Sequence, residues 1–355
     1  MPGGQAARRA AERRSEMKVG EVREKLKEYD QAELIEMFVA AYKLLPKYVK
    51  ETEMDPVILD GLPSREERKA KQDAPVDFEA LEAEILEFVE DAYQQNYFAP
   101  NRKIPKSKRP KWRFMVKDYI KKLQKVPEGD EHFERSCELL LKLYSMLCHG
   151  CNSYIFSTDD PFRSVGMTQP ELYHLVAART FQTVWTEKNA REMIKAAAFC
   201  GLSRECLHED LYMELIGLLK IPDTKDLIIE QAELLLREEA EKLAELKQQK
   251  KRAYDSGYRE FEYGENIEEL NELITGLYVT MRETEKAIRS FWKYTKERER
   301  EVSLYVLLRV IDRFGDDADW KLAYKDGLKR KIKPRKLLQE IYHDLCEKGA
   351  EEKTE

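Results

Sequence analysis

No stretch of the 355 residues approaches the roughly 20 consecutive apolar residues that a membrane-spanning helix needs, and the N-terminus carries no apolar signal-peptide core. We therefore expect a chain without a membrane partner, working in the cytoplasm. Fifteen glycines and thirteen prolines are few for this length, which argues against a turn-rich β architecture. Six cysteines, mostly in or beside apolar helical patterns, do not make a secreted disulfide framework and point to reduced thiols. Serine-nucleophile elbows, Walker-type loops, glycine-rich dinucleotide fingerprints and H-E-x-x-H are all absent, and "HED" at 208 to 210 has no histidine at the required step. A net charge of -6 gives no whole-molecule reason to bind a polyanion, so only a local basic patch could do so.

What is abundant is charge, at 37% of the residues, with alanine, leucine, glutamate and lysine prominent. These are helix formers, and the pattern predicts an all-α protein. Amphipathic segments joined by short breaks predict an irregular stack of antiparallel helix pairs, with a short helical-repeat solenoid as the alternative; no motif recurs at a fixed period of 34 to 45 residues.

Breaks in composition divide the chain. Residues 1–18 form a basic arm, and residues 19–50 a small helical hairpin in which Asp30 and Glu33 make a capping-box pattern. Three prolines, Gly61 and a charge run make residues 51–76 a linker. A central helical domain follows over 77–221, then a C-terminal helical domain over 222–348 opened by a long charged helix after Pro222, and a tail over 349–355. Within the central domain Leu81, Ile85, Phe88 and Val89 mark one helix. Phe133, Cys137, Leu140, Leu141, Tyr144 and Leu147 mark another, which Gly150 is expected to end. Thr168 and Glu171 start a third, Thr186 opens a fourth ending at Gly201, and Ser203 opens a fifth with Leu207, Leu211, Leu215 and Leu218 on one face. The thinning apolar pattern of the helix after Pro222 suggests that its end projects.

Three constellations could carry chemistry. Cys148 and Cys151 form a C-x-x-C, with Cys200, Cys206, His174 and His208 further on. Soft ligands of this kind suit tetrahedral zinc, although 48 residues between Cys151 and Cys200 is long for a compact zinc unit. Buried apolar thiols are the simpler alternative, and a thioredoxin-like role would want a strand before the C-x-x-C. Asp159, Asp160 and Arg163 in "FSTDDPFRSVG" could hold magnesium and an anion for metal-dependent hydrolysis, or be an ordinary turn. Residues 101–125 hold eleven Lys or Arg against the single acid Asp118, interleaved with aromatics. There Lys106, Lys108, Arg109, Lys111, Trp112 and Arg113 are candidates for nucleic-acid binding, the cations for phosphates and the ring for stacking on a base. The competing explanation is a helix whose Trp112, Met115, Tyr119 and Leu123 face the core. A shorter basic run spans 329–336.

"LKEYDQAELIEMFVAAYKLLP", "APNRKIPKSKRPKWRF" and "KIKPRKLLQEIYHDL" resemble segments of uncharacterised helical proteins from bacteria, of the domain-of-unknown-function kind. The resemblance covers about the first 170 residues and the last 40. It implies an all-helical fold and a bacterial cytoplasm, and brings no activity or catalytic residues. The residues themselves predict a protein-interaction or scaffold module with another protein as partner. Nucleic-acid binding through 101–125 is the alternative, and a metal-dependent hydrolase at the 148–163 loop is the second.

Overall fold

A computed structural model describes residues 19–46, 49–50, 54–60, 77–101, 103–183, 185–248, 254–295 and 299–351. The basic arm, most of the linker and the last four residues lie outside them. Among the described residues every regular element is helical, so the fold is all-α. The chain divides into two compact units, Met1–Pro75 and Val76–Glu355.

The first unit contains α1 (Val19–Leu26), α2 (Gln31–Leu44) and α3 (Asp55–Asp60), the last inside the segment expected to be a linker. α2 starts where the capping pattern places it. Asp30 Oδ1 accepts from Glu33 N at 2.9 Å, and Asp30 N donates to Glu33 Oε2 at 3.0 Å. Tyr42 Oη donates to Asp55 Oδ1 at 2.6 Å, tying α2 to α3. No residue of α2 is buried.

The second unit begins with α4 (Phe78–Tyr93), capped by Asp77, and α5 (Trp112–Gln124), both packed on α6 (Phe133–Asn152). The apolar stripes read from the sequence face the core on these helices, with Val89, Met115 and Leu141 only partly buried at its edge. α6 does not stop at Gly150. It runs two residues further, because Gly150 is there for close packing: a Cβ would lie 3.0 Å from Pro161 Cγ and 3.2 Å from Ile155. The loop that follows contains a short helix, α7 (Pro161–Val165), closed by Gly166 in the left-handed conformation. Then come α8 (Gln169–Thr183), α9 (Glu187–Ala198) and α10 (His208–Leu218). α10 starts four residues later than Ser203 as its cap suggests, and Leu207 is exposed at its start.

Pro222 opens α11 (Pro222–Gln248), which pairs with α12 (Tyr254–Thr280). Lys225 reaches Thr280, Glu233 meets Tyr278, Glu239 meets Asn266 and Lys247 meets Glu260, so the two run antiparallel along their whole length. The long helix therefore lies on its own chain and does not project. α11 also packs on α9, so contacts cross the position of Pro222. α13 (Thr284–Tyr294), α14 (Arg300–Phe314), α15 (Asp317–Lys329) and α16 (Lys336–Glu351) complete the unit. α12 touches α9, α10, α11, α13 and α14, and Ile267, Leu270, Leu273, Ile274 and Leu277 on it are fully buried. A helix covered on most sides in this way is a core element, and it makes the stack irregular.

Candidate functional site

The end of α6, the start of α8, the turn after α9 and the start of α10 meet at one polar node in an otherwise apolar core. Gly201 makes the meeting possible. A Cβ at that position would lie 2.3 Å from the Cys148 carbonyl oxygen and 2.9 Å from Asn152 Cγ. Only glycine lets the strand of chain behind α9 lie flush on the last turn of α6, and this brings Cys200 to Cys148.

Gln169, fully buried at the first position of α8, organises the node. Its Nε2 donates to the Gly201 carbonyl at 3.0 Å and lies 3.4 Å from Cys148 Sγ, 3.5 Å from Cys200 Sγ and 3.3 Å from Tyr144 Oη. Its Oε1 accepts from Ser203 N at 2.7 Å. Both ends of the amide are thus used, which is the condition for burying it without a large desolvation cost. Tyr144 Oη donates to the Ala196 carbonyl at 3.1 Å and sits 3.8 Å from Cys200 Sγ.

His208 approaches Cys200 from the first turn of α10. Its Nδ1 lies 2.8 Å from the Ala197 carbonyl, an acceptor, so Nδ1 carries a proton, and Nε2 lies 4.0 Å from Glu269 Oε1 on α12. Glu269 in turn accepts from Tyr212 Oη at 2.6 Å. The neighbouring Cys148 thiol, acting against burial and with help from His208 and Tyr144, lowers Cys200 to about 5. Burial alone would lower His208, but contact with Cys200 and the charge of Glu269 carry it up to about 9. Burial pushes the Cys148 thiol well up. The two thiols are thus pushed in opposite directions, Cys200 down and Cys148 up. Opposing this, the Cys200 thiol donates to the Ala197 carbonyl near the end of α9 at 3.5 Å. Ionising Cys200 therefore relies on Cys148 and His208.

Cys148 and Cys200 line the floor of a cleft of about 650 Å³ that also involves Tyr144, His149, Asn152 and, from α12, Tyr258. Cys148 is 3% exposed, and Cys200 is half-buried. The sequence motif thus misassigns the partners. Cys151, one turn along α6, hydrogen-bonds back to the Leu147 carbonyl at 3.5 Å, and burial raises its thiol to about 12. Burial does the same to Cys206. His174 lies apart, paired at 2.7 Å with Glu214 on the exposed side of α8 and α10. The six proposed metal ligands do not converge. Among the described residues, the one group of three or more ligand side chains within 4.8 Å of each other is His343, Asp344 and Glu347, all exposed on α16.

The aspartates of the 148–163 loop do not form a carboxylate pair. Asp160 is buried and caps α7, accepting from Arg163 N at 3.0 Å, while Asp159 makes an ion pair with Arg204 at 2.5 Å. Arg163 is exposed at the edge of a second cleft of about 680 Å³. The turn explanation accounts for both acids.

The basic segment separates by role. Trp112 is buried and stacked on Phe156 with centroids 3.8 Å apart, and Tyr119 is buried and donates to Glu84 at 2.9 Å. Arg109 uses its guanidinium on the carbonyls of Ile104, at 2.8 Å, and Asn101. Trp112 and Arg109 therefore build the loop: the buried ring does not stack on a base, and the guanidinium is spent on backbone carbonyls. Lys106, Lys108, Lys111 and Arg113 are exposed, with Phe114 62% exposed beside the Arg113 guanidinium. In the 329–336 run Arg335 grips Glu301 in a fork at 2.7 Å and Arg330 pairs with Asp326.

No protein-family model, no curated protein and no solved structure matches the chain. Tyr144, Gln169, Gly201 and Glu269 were not identifiable as parts of a site from sequence. The signal nearest to one is the glycine directly after Cys200, a position where two backbones touch.

Proposed function

We propose that the chain is a cytoplasmic protein-interaction module that presents α2 to an amphipathic helix of another protein. The observation that carries this is exposure. Ile35, Met37, Phe38, Val39 and Leu44 on α2 are between 42% and 86% exposed, and the helix has no buried residue. Water contact with so much apolar surface on one short helix costs free energy, about 25 cal/mol for each Å² that a partner would cover. Ile35, Phe38, Val39 and Tyr42 follow the 3 and 4 residue steps of a helix-in-groove contact. The exposed Glu33 and Glu36 beside them favour a partner rimmed by Lys or Arg.

Site-specific photo-crosslinking from position 38 of the full-length chain, in cells, tests this. The proposal expects a discrete adduct with one other protein, lost when Ile35→Asp is added. Adducts only with a second copy of the chain, or none above those from a probe at exposed Lys121, would overturn it.

A second function is supported by a separate observation. Lys106, Lys108, Lys111, Arg113, Lys117 and Lys121 are exposed and meet no carboxylate among the described residues, whereas Lys103 and Lys122 are paired. Arg113, Lys117 and Lys121 follow each other by four on α5. Such a stripe suits a phosphate backbone without base stacking by Trp112. Oligonucleotide affinity should then fall with salt by about 0.7 to 0.9 in log–log slope per phosphate contacted, and Lys106→Glu with Lys108→Glu and Lys111→Glu should abolish it. A salt-independent or unchanged affinity would remove this function.

A further inference from the structure

We propose that Cys200 and Cys148 form a peroxide-reactive dithiol, in which a hydroperoxide entering the cleft is reduced and the two sulfurs close to an intrachain disulfide. Three observations meet here. The sulfurs flank a single amide nitrogen, that of Gln169. Cys200 is the more accessible of the two and sits at the floor of a cleft of about 650 Å³, ample for a small hydroperoxide. His208, its ring fixed by the Ala197 carbonyl and facing Glu269, favours the ionised form of Cys200.

Acyl transfer fits the same residues less well. The backbone group bonded to the Cys200 sulfur is the Ala197 carbonyl, and the Ala196 and Gly201 carbonyls at the same node also accept hydrogen bonds; a tetrahedral oxyanion needs donors. Attack on a peroxide needs no oxyanion hole of that kind, only a thiolate, a proton for the departing oxygen and a second thiol.

The Cys200 thiolate attacks one peroxide oxygen. A sulfur–oxygen bond forms, the oxygen–oxygen bond breaks, and the departing alkoxide takes a proton from water in the cleft, leaving as an alcohol and releasing hydroxide. Cys200 is now a sulfenic acid. The Cys148 sulfur attacks the Cys200 sulfur, the sulfur–sulfur bond forms, and the hydroxyl leaves with the Cys148 proton as water. Two thiols have been oxidised by two electrons and one hydroperoxide reduced to alcohol and water. The opposite directions of the two thiols suit this order: Cys200 is lowered and Cys148, buried, is raised.

The test is to treat the full-length protein, carrying Cys346→Ser to remove its exposed thiol, with equimolar hydrogen peroxide at pH 7 and map its thiols by mass spectrometry. We expect a linked peptide joining 148 to 200, formed at least about ten-fold faster than any change at Cys137, Cys151 or Cys206, whose burial raises their thiols. Cys148→Ser should leave a sulfenic acid on Cys200 that dimedone traps, and His208→Gln should slow the first step most at pH 6. Oxidation of Cys200 no faster than Cys151, over-oxidation to sulfinic acid without a link in the Cys346→Ser protein, or a link between two chains would overturn the proposal. The linked peptide is read in a chain with both thiols intact, so a variant that fails to fold does not remove the test.

Discussion

At Gly201 the chain comes closer to the last turn of α6 than any side chain permits, next to Cys200 and against the Cys148 carbonyl. Gly201→Ala should therefore cost about 1–3 kcal/mol in urea unfolding, the usual penalty of overpacking, because the Cys148 carbonyl is backbone and cannot step aside. Gly217, within α10 and with open space around its Cα, is the control: Gly217→Ala should stabilise by about 0.4–1 kcal/mol. Equal effects at the two positions would show that the contact at Gly201 is unimportant. The same pair shows how far residue identity is legible in sequence. Both are glycines near helix ends, and nothing local separates them; the difference is a contact with residues about 50 positions away. Cys200 and His208 were visible as candidates because their chemistry is rare, but their partners Gln169 and Glu269 are common residues given meaning only by packing.

Between elements, the most consequential polar contact joins α10, α12 and α14. Arg309 on α14 meets Glu209 on α10 at 2.7 Å and Glu272 on α12 at 3.0 Å, and both acids are about 10% exposed at the side chain. Burial, and then the charge of Glu269, raise Glu272 to about 8, against the pull of Arg309. The folded chain thus holds a proton, between the ordinary value near 4.5 and about 8, that the unfolded chain has released. This contribution to stability is present in full below 4.5 and is lost as pH rises through 8, at no more than about 1.4 kcal/mol per pH unit for one proton. Glu272→Gln removes it. Urea unfolding at pH 5.5 and pH 8.5 should show the variant losing less stability than the parent across that interval; parallel losses would mean that Glu272 is ionised throughout. Helix positions were readable from capping and periodicity, because both are local: Asp30, Asp77, Thr168 and Thr186 open helices as their patterns predict. The stop at Gly150 and the start at Ser203 were misread, since glycine can serve packing and serine can serve a turn. The course of α11 was misread for another reason. Its charged outer face is continuous, and only the antiparallel register with α12 shows that the inner face is covered.

At the scale of the molecule the two units differ in how they are held, and this gives the protein an uneven stability. α12 is enclosed by five other helices, with Asn271 and Thr275 buried and bonded to the Phe291 and Asn271 carbonyls at 3.1 and 2.7 Å. α2 has no buried residue and relies on its capping box and its tie to Asp55. Opening free energy follows buried contacts, so amide exchange should be slowest over 267–279 and faster by orders of magnitude over 31–44. Asp30→Ala should quicken exchange in α2 further, consistent with the ~1 kcal/mol typical of a lost N-cap, and leave 267–279 unchanged. If a helical partner docks on α2, its addition should slow exchange over 31–44 alone. That protection would separate docking on the first unit from phosphate binding by α5, which leaves α2 as it was. Equal protection of 31–44 and 267–279 in the isolated chain would mean that α2 is already covered, and the interaction proposal would fail.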